Sequence, residues 1–287
     1  MKKLITLLIF STNIIGFSQE LTIVEQNYNE AKKLAKKENK LLFIDFYTTW
    51  CKPCKKMDKW IFQDKNKSKK LAKDFVLLRY DAEKDKEFHL SKKHHVNSYP
   101  TGIILNRKGF VVNRKYGFAS ENIDELSKAV YEFTDQSIEL DKQKKILKGY
   151  SNTIKISNYP KFYIDFVNRD NTKVTRSEDF KNYWKTNTDL TSEEYFSTLV
   201  YFAKDVPINI ANDFLERKEK YTELYGETDV NVALVFFSFG KFEDAIEHKN
   251  EEKFDKAVEF VNKALSKESA ERMTSLFQKQ FDEAKKG

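Results

Sequence analysis

The stretch Leu41-Leu42-Phe43-Ile44-Asp45-Phe46-Tyr47-Thr48-Thr49-Trp50-Cys51-Lys52-Pro53-Cys54 joins an almost unbroken apolar run to two cysteines separated by two residues. The run reads as a buried strand with one acid, Asp45, inside it. The residues after Cys54 have the composition of a helix start. These are the only 2 cysteines in 287 residues. Cysteines that stabilise a fold usually close long loops, and this pair closes almost nothing, so its chemistry is the better reason for it.

Outward from that stretch the punctuation is regular. Upstream, Val24, Tyr28, Ala31, Leu34 and Ala35 share one face of an amphipathic helix predicted over 22–39. Downstream, a helix to about Phe62 and an irregular piece to Asp74 lead to a second apolar strand, 75–80. Strand, helix and strand make a crossover suited to parallel pairing. The charged segment 81–95 reads as loop plus one short helix. Tyr99-Pro100-Thr101 opens a strand over 102–106, Arg107-Lys108-Gly109 turns, and 110–116 returns antiparallel. Ser120 is an N-cap candidate for a closing helix marked by Ile123, Leu126, Ala129, Val130 and Phe133.

This order, with Trp50-Cys51-Lys52-Pro53-Cys54 at a strand end and Pro100-Thr101 before a late hairpin, resembles the thioredoxin superfamily. The nearest branch is similar to exported thioredoxin-like domains, including the periplasmic domain of membrane thiol:disulfide interchange proteins. The resemblance covers 22–135 and implies an α/β thioredoxin-like domain, a mixed sheet flanked by helices. It also implies roles. Asp45, six residues before Cys51, would relay a proton beneath the site. Pro100 would be cis and face the cysteines, and Tyr99 would pair with an extended substrate. Trp50, Thr101 and Gly117 would complete the groove.

The chemistry itself asks for a thiolate that attacks and a second thiol that releases the mixed disulfide. Cys51 at a helix N-terminus is the expected exposed nucleophile, its thiolate favoured by free N–H groups and by Lys52, Lys55 and Lys56. Cys54, one turn in, is the resolving thiol. Lys52 stands where the most familiar motif has glycine and, with Pro53, tunes the pair; the added charge favours the thiolate and a more oxidising couple. The direction of electron flow stays open. Zinc is the rival reading of the cysteines, with His89, His94 and His95 to complete a set. It lacks a second cysteine pair, and the default for these histidines is an exposed loop. No metal and no small-molecule cofactor is expected.

Met1-Lys2-Lys3, the apolar segment 4–10 and Gly16-Phe17-Ser18 match a cleaved secretory signal over 1–18, and 4–17 is too short and too polar for a membrane span of about 20 residues. Export implies a soluble periplasmic or otherwise extracytoplasmic protein. Its expected partners are disulfide-containing exported proteins, with a membrane thiol:disulfide interchange protein as a candidate electron donor. The charge is +7, or +5 once Lys2 and Lys3 leave with the signal, and the basic residues are interspersed with acids. Nucleic-acid binding needs a basic stripe instead.

From about Ser137 helical spacing dominates. Tyr159, Phe162, Tyr163, Phe166 and Val167 form one stripe. Tyr195, Phe196, Leu199, Val200 and Ala203 form another, opened by a capping box from Thr191 to Glu194. Six or seven helices are predicted. The echo of 241–247 in 253–259, at a spacing of 12, is far from a 34-residue helical repeat. The expected organisation is signal 1–18, thioredoxin-like domain 19–136 and all-α helical domain 137–287. Two functions fit: an exported thiol-disulfide oxidoreductase, or an interaction protein whose helical domain binds a partner while the thioredoxin-like domain serves as a redox switch.

Overall fold

The computed structural model describes residues 20–118, 120–187 and 189–286. The predicted signal peptide, 1–18, lies outside the described residues. Among them no helix is long and apolar enough to cross a membrane.

Five strands form one mixed sheet in the order β1-β3-β2-β4-β5: β1 (Thr22–Glu25), β2 (Leu41–Tyr47), β3 (Phe75–Asp81), β4 (Thr101–Leu105) and β5 (Val111–Tyr116). The predicted parallel crossover is β2 to β3 and the predicted hairpin is β4 to β5, while β4 also pairs antiparallel with β2. The apolar run 41–47 thus occupies the centre of the sheet. Strand alternation divides its side chains between two cores. Leu41 and Phe43 meet Met57, Ile61, Phe62, Phe75, Leu77, Phe118 and Phe133. Leu42, Ile44 and Phe46 point the other way, into a cluster shared with Tyr28, Ala31 and Ala35 of helix α1 (Tyr28–Lys37).

The predicted helix over 22–39 is corrected at its start. Thr22, Ile23 and Val24 favour extended backbone and pair parallel with Val76, Leu77 and Leu78. Gln26 then takes a positive φ of 59°, and Asn27 caps α1 by accepting from the Glu30 N–H at 3.0 Å. Beyond β2, α2 (Lys52–Met57) runs into a π-helical turn, Asp58–Phe62, and then α3 (Lys65–Ala72). The segment after β3 holds a 3-10 turn and the short α4 (Leu90–Lys93). Helix α5 (Ile123–Lys142) is capped by Asn122, which accepts from Asp124 and Glu125, whereas Ser120 binds the Asn122 N–H.

Helix α5 passes through the expected domain boundary at 136/137 without a break. Eight further α-helices follow among the described residues, one more than the upper expectation: α6 (Lys161–Val167), α7 (Glu178–Thr186), α8 (Glu193–Tyr201), α9 (Ile208–Glu216), α10 (Lys218–Tyr225), α11 (Glu227–Glu247), α12 (Glu251–Ala264) and α13 (Lys267–Lys286). The cap of α8 is Ser192, one residue after the expected Thr191. The core cluster that begins on the α1 face of the sheet continues through Leu90 and Val96 into Tyr150, Tyr163, Phe196, Phe202 and Leu234. The helical half therefore packs onto the thioredoxin-like half. Helix α11 comes so close to its neighbours that a Cβ on Gly240 would stand 2.2 Å from the Lys204 carbonyl oxygen.

The junction contains a buried polar cluster. Asp229, in the first turn of α11, forms an ion pair with Arg114, whose Nε is 3.0 Å away, accepts from the Tyr150 hydroxyl at 3.0 Å and from the Tyr116 hydroxyl, and lies 3.2 Å from His95 Nε2. His95 Nδ1 lies 3.3 Å from Ser197 Oγ. Burial first, and Arg114 second, push the His95 imidazole down to about 4. Burial alone would raise the Asp229 carboxyl, but Arg114 and His95 hold it well below the usual carboxylate range.

Candidate active site

Strand β2 delivers the chain through Thr48-Thr49-Trp50 to Cys51, which is the N-cap of α2: its Sγ accepts from the Cys54 N–H at 3.1 Å. Cys51 and Cys54 are joined in a disulfide. Pro53 sits in the first turn, where a missing N–H costs nothing. Lys52 and Lys55 are exposed, and Lys56 pairs with Glu121. The expected difference in exposure is not observed: in the disulfide form Cys51 is 3% and Cys54 2% exposed. Cys51 lies at the base of a wall rather than on open surface. Trp50, 58% exposed, supplies that wall; its ring meets Tyr99 edge-on at 5.9 Å, and its Nε1 donates to Glu83 Oε1 at 3.0 Å.

The Tyr99–Pro100 peptide bond is cis. Two bonds hold the loop around it: Thr101 Oγ1 donates to the Ser98 carbonyl at 2.7 Å, and the Gly117 N–H donates to the Pro100 carbonyl at 3.1 Å. Gly117 has φ +70°, which glycine adopts freely. Trp50, Tyr99, Pro100, Thr101 and Gly117 are thus brought to one end of the sheet, through the ends of β2, β4 and β5.

Asp45 belongs to the Leu41/Phe43 face of β2, the side on which α2 lies, and is fully buried. Neither carboxyl oxygen has a hydrogen-bond partner. Its cross-strand neighbour is Arg79, whose Nε is 4.0 Å from Asp45 and 3.4 Å from Asp58, while Nη1 is 3.2 Å from Glu25. One guanidinium is divided among three acids, with its face 4.7 Å from the Tyr47 ring. Desolvation pushes the Asp45 carboxyl up to about 7; Arg79 opposes this, and Asp58 and Glu25 reinforce it. The acid is poised to exchange a proton near neutrality.

Arg79, Asp58 and Glu83 were not singled out by the sequence reading. A lone arginine in the apolar strand 75–80 was a usable signal, since it mirrors the lone acid in 41–47. The histidines need correction. His94 and His95 are buried, not exposed, with His94 between the rings of Phe46 and Tyr150. Among the described residues no three His, Cys, Asp or Glu side chains converge as a metal site.

Residues 23–106 match a family model described as thioredoxin-like. The chain is 34% identical to thioredoxin-1 of Drosophila melanogaster over 26% of its own length and 66% of that protein's. It is 36% identical to the thiol:disulfide interchange protein DsbD of Vibrio cholerae over 30% of this chain and 15% of that one. It is 31% identical to a thioredoxin of Echinococcus granulosus over 37% of this chain and 94% of that one. Among solved structures, a candidate disulphide-isomerase of Bacteroides thetaiotaomicron matches at 38% identity, covering 41% of this chain and 95% of that one, with a TM-score of 0.35. The family model's match falls on the half that carries the cysteine pair. With its sheet order, its cysteine pair and a relative matched over nearly its whole length, the chain belongs to the thioredoxin superfamily.

Proposed function

We propose that this chain is an exported thiol-disulfide oxidoreductase that reduces or exchanges disulfides in protein partners through Cys51 and Cys54. The observation that carries this reading is a redox-capable pair at the start of α2, above a buried acid without a hydrogen-bond partner. In the reduced state the Cys51 thiolate attacks one sulfur of a substrate disulfide, forming a mixed disulfide and releasing the other sulfur as a thiolate. Asp45 takes the proton from Cys54, whose sulfur then attacks Cys51 Sγ. The intramolecular disulfide forms and the second substrate thiol leaves. A carboxylate with a pKa near 7 suits that transfer at neutral pH. Tyr99, cis-Pro100, Thr101 and Gly117 position the partner chain beside Trp50, while Lys52 and Pro53 set the potential.

Export rests on the basic and apolar leader pattern of 1–18 and on the likeness to DsbD, which also makes a membrane interchange protein a fitting electron donor. The functional division is a redox domain, 19–136, and a helical domain, 137–287.

Insulin reduction tests the activity: the parent chain turns over and Cys51→Ser does not. A parent as inert as that variant rules the reading out. Cys54→Ser, which cannot resolve, retains partners as mixed disulfides that mass spectrometry identifies. Capture of the same partners with both cysteines absent would put a scaffold role in place of redox exchange.

A further inference from the structure

A cleft of about 590 Å³ opens behind the Trp50–Tyr99 pair. One wall is the thioredoxin-like segment that includes Glu83, Lys86 and Tyr99; the other is Val167 to Asp170 with Tyr201 of the helical half. Glu83 ties the two together, accepting from Trp50 Nε1 and pairing with Arg169 Nη2 at 3.2 Å. The cleft is thus continuous with the rim of the cysteine site, and five of its fourteen lining residues come from the helical half, beyond the segment 23–106 that the family model matches. A cavity of this size holds several side chains.

We propose that this cleft is an extended-substrate site. The polypeptide flanking the attacked cysteine of a protein substrate runs past Tyr99 into it, against Val167, Asn168 and Tyr201. This rests on the redox reading above and deepens it by adding a second stretch of contact, shared with the helical half, to the groove beside Pro100. A low-mass disulfide ends close to its own sulfurs, whereas a polypeptide advances about 3.3–3.6 Å per extended residue and reaches beyond the aromatic pair. The formal charges of the lining cancel, with Glu83, Asp85 and Asp170 against Lys86, Lys92 and Arg169. Selection there follows the reach and shape of the segment more than its charge.

The test uses the full chain with Cys54→Ser, reduced, and peptides whose single cysteine is joined to thionitrobenzoate. The Cys51 thiolate attacks the peptide sulfur, the Cys51–peptide disulfide forms, and thionitrobenzoate leaves with the bonding electron pair, its colour reporting the rate. Peptides carry from none to about six residues on either side of the cysteine, about 20 Å when extended. We expect the rate constant to rise about tenfold or more with length on one side. Asn168→Trp, an exposed position at the cleft, then cuts that rise to less than about threefold, as does Asp170→Trp in the same loop. A rate independent of length overturns the proposal, as does an unchanged rise in both variants, which would assign the length effect to the groove beside Pro100 alone. A parent that fails to attack even the shortest peptide overturns the redox reading itself, and this proposal with it.

Discussion

Asp45 and Asp229 are both fully buried, and they have opposite surroundings. Asp229 is surrounded by partners: Tyr116 and Tyr150 each give it a hydrogen bond, Arg114 pairs with it as an ion and His95 stands beside it. Asp45 has no hydrogen-bond partner and only a shared guanidinium at 4.0 Å. The first is held ionised and the second is held close to protonated. A buried acid that is fully partnered resists titration and fixes structure; one left partnerless is pushed to titrate nearer neutrality, at a cost in stability. The contrast separates a joint between two halves from the group to which the proposed function gives the proton transfer.

The sharpest way to break the comparison is Asp229→Ala. It strands the Arg114 guanidinium inside the junction and should destabilise the chain by about 3–5 kcal/mol in urea unfolding at neutral pH. A loss below about 1 kcal/mol would mean that the cluster does not hold the halves together.

Asp45 predicts an effect of similar size and opposite sign. Its carboxyl moves from an ordinary 3.8 up to about 7 on folding, so the folded chain binds the proton more tightly than the unfolded one. Its own contribution to stability is therefore fully present below about pH 4, falls as pH rises towards 7, and levels off above that. At about 1.36 kcal/mol per unit the window is worth on the order of 4 kcal/mol. Asp45→Asn should match the parent near pH 4 and gain progressively on it up to about pH 8, measured by chemical denaturation across that range. A gain that did not change with pH would remove the assignment of Asp45 as the titrating group. Asp229 works in the other direction: its contribution is present above the unfolded value of 3.8 and fades as pH falls below it.

The smallest effect belongs to a single donor. Tyr116→Phe removes one hydroxyl between Arg114 and Asp229 and should cost about 1.5–3 kcal/mol, the usual range for a bond to a charged group. A neutral result would show that Arg114, Tyr150 and His95 satisfy the acid without it.

These two aspartates also mark what sequence reading could reach. Asp45 announces itself, because an acid in an apolar strand breaks a period-two pattern and its spacing from Cys51 adds a second constraint. The strand order around it, the hairpin and Pro100 were legible for the same reason: local pattern and turn chemistry agree with the fold. Asp229 gives no such sign. Next to Glu227 and Thr228 at the start of α11, it reads as an ordinary acid favouring a helix N-terminus, and only the approach of β5 and His95 buries it. The histidines misled equally, because Lys92 and Lys93 beside them suggest solvent, yet Lys92 meets Asp85 and Lys93 meets Glu193 in the interior. The strand at 22–25 was missed because four residues gain their pairing from β3, which lies some fifty positions away.

The junction also orders events in time. Tyr116 and Asp229 are 113 residues apart in the chain, and synthesis at about 5–20 residues per second spaces them by roughly 6–23 s. Until α11 emerges, the nascent thioredoxin-like half holds the Arg114 guanidinium without the acid that neutralises it. The cysteines are thus made early, in a half that acquires its last electrostatic partner late, and a ribosome-bound chain truncated before residue 229 should remain the more accessible to protease.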